Sequence, residues 1–289
     1  MKALTAESFR AFDREVRTPA AIADLSRASG LDSESLAAEL DLYAEEAVHG
    51  VDLLAATSLA GKRVLEVGAG LGLLSAWLES NGIDVTPLEP GGPGFDHFPR
   101  VISALRKRLG LPADRLLDIG VNGLDPNVHG SYDVIFSVNV MEHVDDLPRA
   151  FGAIRSVMAP GAVALHHCPN YAVPYEPHYG LPLVPFWPNL TAHFAGVRAE
   201  PLWQSFNFIT HRDVRRLARR NRQTVAFRSG EMAEAIGRLG TDPEFRARHP
   251  ILHALSAGLG GNALTSLARG LPISLSTPMT FECRNVAPE

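Results

Sequence analysis

Short apolar runs alternate with helix-period stretches through the middle of this chain. Arg63 to Val67 is a largely apolar run, broken by Glu66, and Val85 to Leu88 is a second. Between them Leu73 to Ser80 has helical composition and stops at Asn81-Gly82. Such runs, bounded by turn residues, predict buried strands flanking a helix. The alternation continues with a helix over 96–109, Leu105 and Leu109 on its inner face, and a third strand from Arg115 to Ile119. Tyr132 to Ser137 predicts a fourth strand. A helix capped by Asp145 then carries Leu147, Ala150, Phe151, Ile154 and Val157 inward, and Pro160-Gly161 breaks it. Ala162 to His166 predicts a fifth strand, Thr224 to Arg228 a sixth and Thr277 to Arg284 a seventh. Alternating strands and helices demand a mostly parallel, doubly wound α/β sheet with right-handed crossovers.

The flanking regions read differently. Residues 1–60 predict helices, with Thr18-Pro19 starting one and Asp32 or Ser33 capping a longer one that presents Leu36, Leu40, Tyr43, Ala44, Ala47, Val51 and Leu54 on one face. This region either covers the ligand cleft or serves as packing. From Pro169 to Pro201 the chain is rich in proline and in aromatics: Tyr171, Tyr175, Tyr179, Phe186, Trp187 and Phe194. A long loop leaving the carboxyl end of a central strand predicts a substrate cap, assigned to 169–209. Thr210 caps a helix, His211 to Arg220, whose arginines face out, and 231–275 predicts a helical insertion. The expected organisation is thus a helical region, 1–60, followed by one domain, 61–289.

The chemistry starts at the first strand. Glu66-Val67-Gly68-Ala69-Gly70-Leu71-Gly72 joins that strand to its helix, and Glu89 closes the second strand. Glycines let backbone turn tightly and approach a ligand. A helix start offers free N–H groups, and a terminal carboxylate accepts from a ribose. A dinucleotide or S-adenosylmethionine suits such a cradle. The G-x-G-x-G spacing, with Leu73 where a dinucleotide fingerprint has Gly or Ala, disfavours the nicotinamide reading. The string and the acid 20 residues on resemble motif I of the class I S-adenosylmethionine-dependent methyltransferases. Ser137-Val138-Asn139-Val140-Met141-Glu142-His143-Val144 resembles motif IV of that family, especially its quinone-type and other small-molecule members. The resemblance covers residues 61–168. It implies a seven-stranded Rossmann-like sheet with the last strand antiparallel, N-terminal helices and a cap insertion after strand five. It implies cofactor contacts from Glu66, Gly68, Ala69, Gly70, Gly72, Glu89, Pro90, Asn122, Asn139 and Glu142. Asn122 stands where many members place an acid against the adenine amino group, with Asp118 close by.

Methyl transfer from a sulfonium needs an aligned acceptor and a group to take its proton. The base candidates are His143, His166, His167, Glu176 and His178, with Tyr175 beside the last two as an acceptor contact. Only one of His166 and His167 is expected to face the cleft, because side chains alternate along a strand. The spacing of His167, Cys168 and His178 matches no zinc motif, so no resident metal is expected. The net charge of −5 argues against a nucleic-acid partner, and Ser137 to Val140 does not match the amino-methyltransferase pattern N-P-P-Y. Two cysteines and no apolar leader point to a cytoplasmic, reducing setting. No run is long enough to span a bilayer, although the apolar stretch Ile251 to Leu275, with Arg269 its one formal charge, leaves peripheral membrane contact open. The expected activity is methyl transfer to an oxygen of a small molecule, lipid or glycan. A non-catalytic cofactor-binding regulatory or scaffold subunit is the alternative.

Overall fold

The computed structural model describes residues 4–92, 94–185, 187–259 and 261–286. Phe186, one of the cap aromatics, lies outside them. The strands are β1 (Arg63–Val67), β2 (Asp84–Leu88), β3 (Tyr132–Val138), β4 (Met158–Cys168), the two-residue β5 (Tyr175–Glu176) and β6 (Leu181–Pro182), β7 (Gln223–Phe227) and β8 (Met279–Asn285). Six of them form one sheet in the order β2-β1-β3-β4-β8-β7, and β5 and β6 form a separate hairpin. The pairs β1–β2, β1–β3 and β3–β4 are parallel, with Val64 opposite both Val85 and Val134. β8 runs antiparallel to both β4 and β7, as expected for the last strand.

The sheet has six strands rather than the seven expected, because Arg115 to Ile119 forms no strand. Leu117 makes a single parallel bridge to Leu88: its N–H donates to the Pro87 carbonyl at 2.9 Å, and Glu89 N–H donates to its own carbonyl at 3.0 Å. The next step of a parallel ladder toward Arg115 would need an N–H from Pro87, which proline lacks.

Strand alternation divides the interior into two cores. Val64, Val134 and Phe136 pack with the helices Ser33–Leu54, Leu73–Ser80 and Phe98–Arg108. Leu65, Ile135 and Ala164 face the helices Leu147–Ser156 and His211–Arg220 on the other side. The caps follow local chemistry. Thr18 accepts from Ala21 N–H, and Asp32 from the N–H groups of Glu34 and Ser35. Thr210 and Asp213 make a reciprocal capping box. The helix after β3 is capped by Asp146, not Asp145, and begins one residue later with Leu147. The expected helical insertion is four short helices between Glu231 and Ala268.

In this strand order the chain turns from β1 to β2 on one side and returns with β3 on the other. The crevice at the carboxyl ends of β1 and β3 is therefore the topological switch point, where ligands bind in such sheets.

Candidate active site

A cavity of about 680 Å³ opens there, a size ordinary for small-ligand sites. Its floor is the loop after β1. Gly68 and Gly70 both have positive φ, +72° and +55°. A Cβ on Gly68 would lie 2.3 Å from Val140, and one on Gly70 would lie 2.5 Å from the ring of Tyr43. The loop is pinched between the turn after β3 and the N-terminal helix Ser33–Leu54, and only glycine fits.

Glu89, one residue past β2, ties this loop down. Its two carboxylate oxygens accept from Gly70 N–H at 2.9 Å and Gly91 N–H at 3.0 Å. Burial pushes its pKa up to about 7 despite those two donors. Glu66 is more enclosed: burial pushes it up to about 8, and its Oε2 has no hydrogen-bond partner. Asn122 also lines the cavity and leaves its buried Oδ1 unpartnered. Asp118 is exposed and lies outside the wall. Ala69, Pro90 and Asn139 line the cavity as well. Asn139, at φ +52°, donates to Glu46 at 3.2 Å. Gly72 does not reach the wall; it starts the next helix in the left-handed region, with its open side against Ile102.

The far end of the cavity belongs to the turn after β3 and the cap. Glu142 and His143 sit on the short 3-10 helix Met141–His143. Asn207 clamps that turn, its backbone N–H donating to Glu142 O at 2.8 Å and its Nδ2 to the carbonyls of Met141 and Val144. Glu142 is fully buried behind the wall, neither carboxylate oxygen has a hydrogen-bond partner, and burial pushes its pKa up to about 8. His143 lines the cavity, with Nδ1 2.7 Å from Ser205 Oγ. Ser205 Oγ donates in turn to Leu202 O, so His143 Nδ1 carries the proton and Nε2 is free. Burial, with His178 nearby, lowers the His143 pKa to about 3.

His178 lines the cavity from the β5–β6 hairpin. Its Nδ1 is 2.5 Å from Glu176 Oε1, and its Nε2 is 3.9 Å from Glu142 Oε1. Burial opposes its charging, but the hydrogen bond and charge of Glu176, with the charge of Glu142, raise its pKa overall. Glu176 is fully buried behind the ring and also accepts from the N–H groups of His178 and Tyr179.

Three expected site residues are placed elsewhere. His167 lies outside the cavity, stacked on His49 with its Nδ1 2.8 Å from Thr280 Oγ1. His166 alternates to the other face and pairs with Ser137 Oγ at 2.7 Å. Thus neither histidine at the end of β4 faces the cleft. Tyr175 turns away toward His249, its hydroxyl 2.5 Å from Nδ1. Two sources of lining residues were expected only as regions, without individual site residues. Leu42, Tyr43, Glu46 and Ala47 come from the N-terminal helix, and Gln204 and Ser205 from the cap's helix Pro201–Ser205. Nothing in their spacing separates them from ordinary helix positions.

The glycine floor, the acid after β2 and the switch-point cleft define a nucleotide-type cofactor site on a Rossmann-like sheet. Residues 40–221 match the family described as a methyltransferase domain, and the chain belongs to that family. An uncharacterised protein of Mycobacterium tuberculosis is 35% identical over 198 residues, which is 65% of this chain and 66% of that protein. A ubiquinone biosynthesis O-methyltransferase of Marinobacter nauticus is 36% identical over 106 residues, 36% of this chain and 42% of that protein. The chain thus spans just under two thirds of the first relative's length and about two fifths of the second's. An S-adenosylmethionine-dependent methyltransferase from Mesorhizobium loti shares the fold, with a TM-score of 0.50 at 15% identity, covering 81% of this chain and 96% of that one.

Proposed function

We propose that this protein transfers a methyl group from S-adenosylmethionine to an oxygen of a small molecule, lipid or glycan. The observation that carries the reading is a single cavity with a glycine-and-carboxylate cradle at one end and the half-buried His143 and His178, backed by the buried Glu142, at the other. The cradle fits the cofactor on three counts. Glu89 is held where each oxygen keeps a lone pair for a ribose hydroxyl. The unpartnered Oδ1 of Asn122 can accept from an amino group, the task an acid performs in many family members. Glu46, Glu89 and Asp145 line the cavity as acids beside the neutral Glu66, and among the described residues no Lys or Arg does. That wall suits a cationic ligand and gives a pyrophosphate no counter-charge.

The cofactor brings an already activated methyl group. The chain's own work is to hold the acceptor in line and draw off its proton. In this reading His178 receives that proton at Nε2, and its contact with Glu176, which fixes the ring and would stabilise the imidazolium, supports the role. His143 and Glu142 bound the same end of the site.

His178→Ala is expected to lower turnover by about 10²–10⁴-fold while leaving cofactor affinity nearly unchanged. The assay follows radiolabelled methyl from the cofactor into a panel of phenolic, lipid and glycan acceptors. Unaltered turnover in the variant would remove His178 from the chemistry. Cofactor binding with no transfer to any hydroxyl acceptor would favour a scaffold subunit.

A further inference from the structure

The Glu142–His143–His178 group has a property that a simple acid–base pair does not need. One ligand-capable atom from each of the three side chains lies within 4.8 Å of the others. We propose that these residues bind one borderline divalent cation of the zinc class, positioned to hold the acceptor oxygen. The proposed role rests on the methyl-transfer reading; the site itself rests on geometry.

Each side chain is prepared as a ligand. His143 commits Nδ1 to Ser205 Oγ and leaves Nε2 as a free lone pair. His178 commits Nδ1 to Glu176 and leaves Nε2 facing Glu142. Metal-ligating histidines characteristically give their second ring nitrogen to a carboxylate or similar partner, which fixes tautomer and ring orientation. Here both do. Glu142 is fully buried, yet neither carboxylate oxygen has a hydrogen-bond partner. A buried carboxylate without partners is costly, and pairing with a cation removes that cost. Zinc–ligand distances near 2.0–2.2 Å require these atoms to draw together by about 1 Å. The Glu142 carboxylate can rotate to do so without breaking a hydrogen bond.

Two imidazoles and one carboxylate favour zinc-like ions over magnesium or calcium, which prefer all-oxygen shells. Three protein ligands leave a position open, as in catalytic rather than structural sites. His143 and His178 both line the cavity, so the open position faces the acceptor. A cation there acts as a Lewis acid on the acceptor hydroxyl, whose proton then leaves to bulk water. The oxygen lone pair forms the new O–CH₃ bond as the S–CH₃ bond breaks, and that electron pair returns to sulfur. The products are an ether and a thioether, with no change of metal oxidation state. In the loaded protein His178 would serve as a ligand, and the cation would acidify the hydroxyl so that water takes its proton. The linear spacing of the ligands hid this group: Glu142 and His143 are adjacent, and His178 arrives only when the β5–β6 hairpin folds back.

The test uses full-length protein stripped by dialysis against a chelator, then titrated with Co²⁺ followed by visible absorbance and with Zn²⁺ followed by calorimetry. The expected result is one equivalent of either ion per chain, with a Co²⁺ spectrum of low coordination number. Glu142→Gln and His178→Ala should each abolish that spectrum, with circular dichroism unchanged. Glu176→Gln, which alters only the support of His178, should lower metal affinity by about 10–100-fold. No saturable Co²⁺ binding in the wild type, or the same spectrum in Glu142→Gln, would overturn the site. S-adenosylhomocysteine binding, measured on the same samples, separates this outcome from failure of the methyltransferase reading.

Discussion

Glu89 and Glu66 are two buried carboxylates that do different work. Glu89 is already bound to Gly70 and Gly91, so its removal takes a ribose partner and also releases the loop. Glu89→Ala is expected to weaken S-adenosylhomocysteine binding by about 1–3 kcal/mol, measured by calorimetry. Gly70→Val should abolish binding, since its Cβ would meet the Tyr43 ring at 2.5 Å and its φ of +55° strains a branched residue. Glu66 has an oxygen without a partner and a folded pKa near 8, above its ordinary value of 4.5. A raised carboxyl pKa means that stability is fully present below pH 4.5 and is lost as pH rises through about 8. Glu66→Gln should therefore match the wild type near pH 5 and become progressively more stable than it by pH 8.5. Denaturant unfolding across that range measures the difference, and parallel curves would show that Glu66 is not held neutral. The lining of the cavity by Gly68, Gly70 and Glu89 was legible in the sequence, because a tight turn and an acid at a strand end permit few residue types, whereas Gly72 starts the helix instead. The roles of His143 and His178 were only partly legible, because the groups that orient them, Ser205 and Glu176, become neighbours through the cap.

At the scale of elements, the cap is where composition and placement diverge. Its proline and aromatic content predicted a substrate cap whose aromatics contact the acceptor. Instead Trp203 and Phe206 are buried with Leu183 and Ala192, and Tyr171, Tyr179 and Phe208 pack around them. Trp187 and Phe194 are exposed. The cap has an apolar centre of its own, built from these large rings and joined to the second core through Tyr171. Side-chain direction in irregular segments has no period, so sequence alone could not assign it. Trp203→Ala removes the centre of that cluster and one hydrogen bond to Asn189. Local stability of the cap should fall by about 3–5 kcal/mol. Hydrogen exchange should show lost protection over 175–206 while β3 keeps its own; uniform loss across the protein would mean that the cap is not a separate cluster. The missing edge strand has the opposite lesson. The apolar run 115–119 had the right composition, and one proline on the neighbouring strand ended the ladder.

For the whole molecule, the N-terminal helix Ser33–Leu54 is part of the cavity wall. Tyr43 covers Gly70, packs edge-on against Phe98 with ring centroids 5.1 Å apart, and lines the cavity. Sequence left open whether this region covered the cleft or only packed; it does both. Tyr43→Ala is expected to weaken cofactor binding more than it lowers unfolding stability, since the ring borders both the cavity and the core. No helix among the described residues is long and apolar enough to cross a membrane, and the apolar stretch 251–275 is divided among short helices. What fills the cavity at the switch point therefore decides the function. The measurement that tests it most directly is calorimetric titration of the purified chain with S-adenosylhomocysteine and, separately, with NAD. Saturable one-to-one binding of S-adenosylhomocysteine, weakened in Glu89→Ala, and no heat with NAD is the expected result. Binding of NAD alone, or S-adenosylhomocysteine binding indifferent to Glu89, would contradict it.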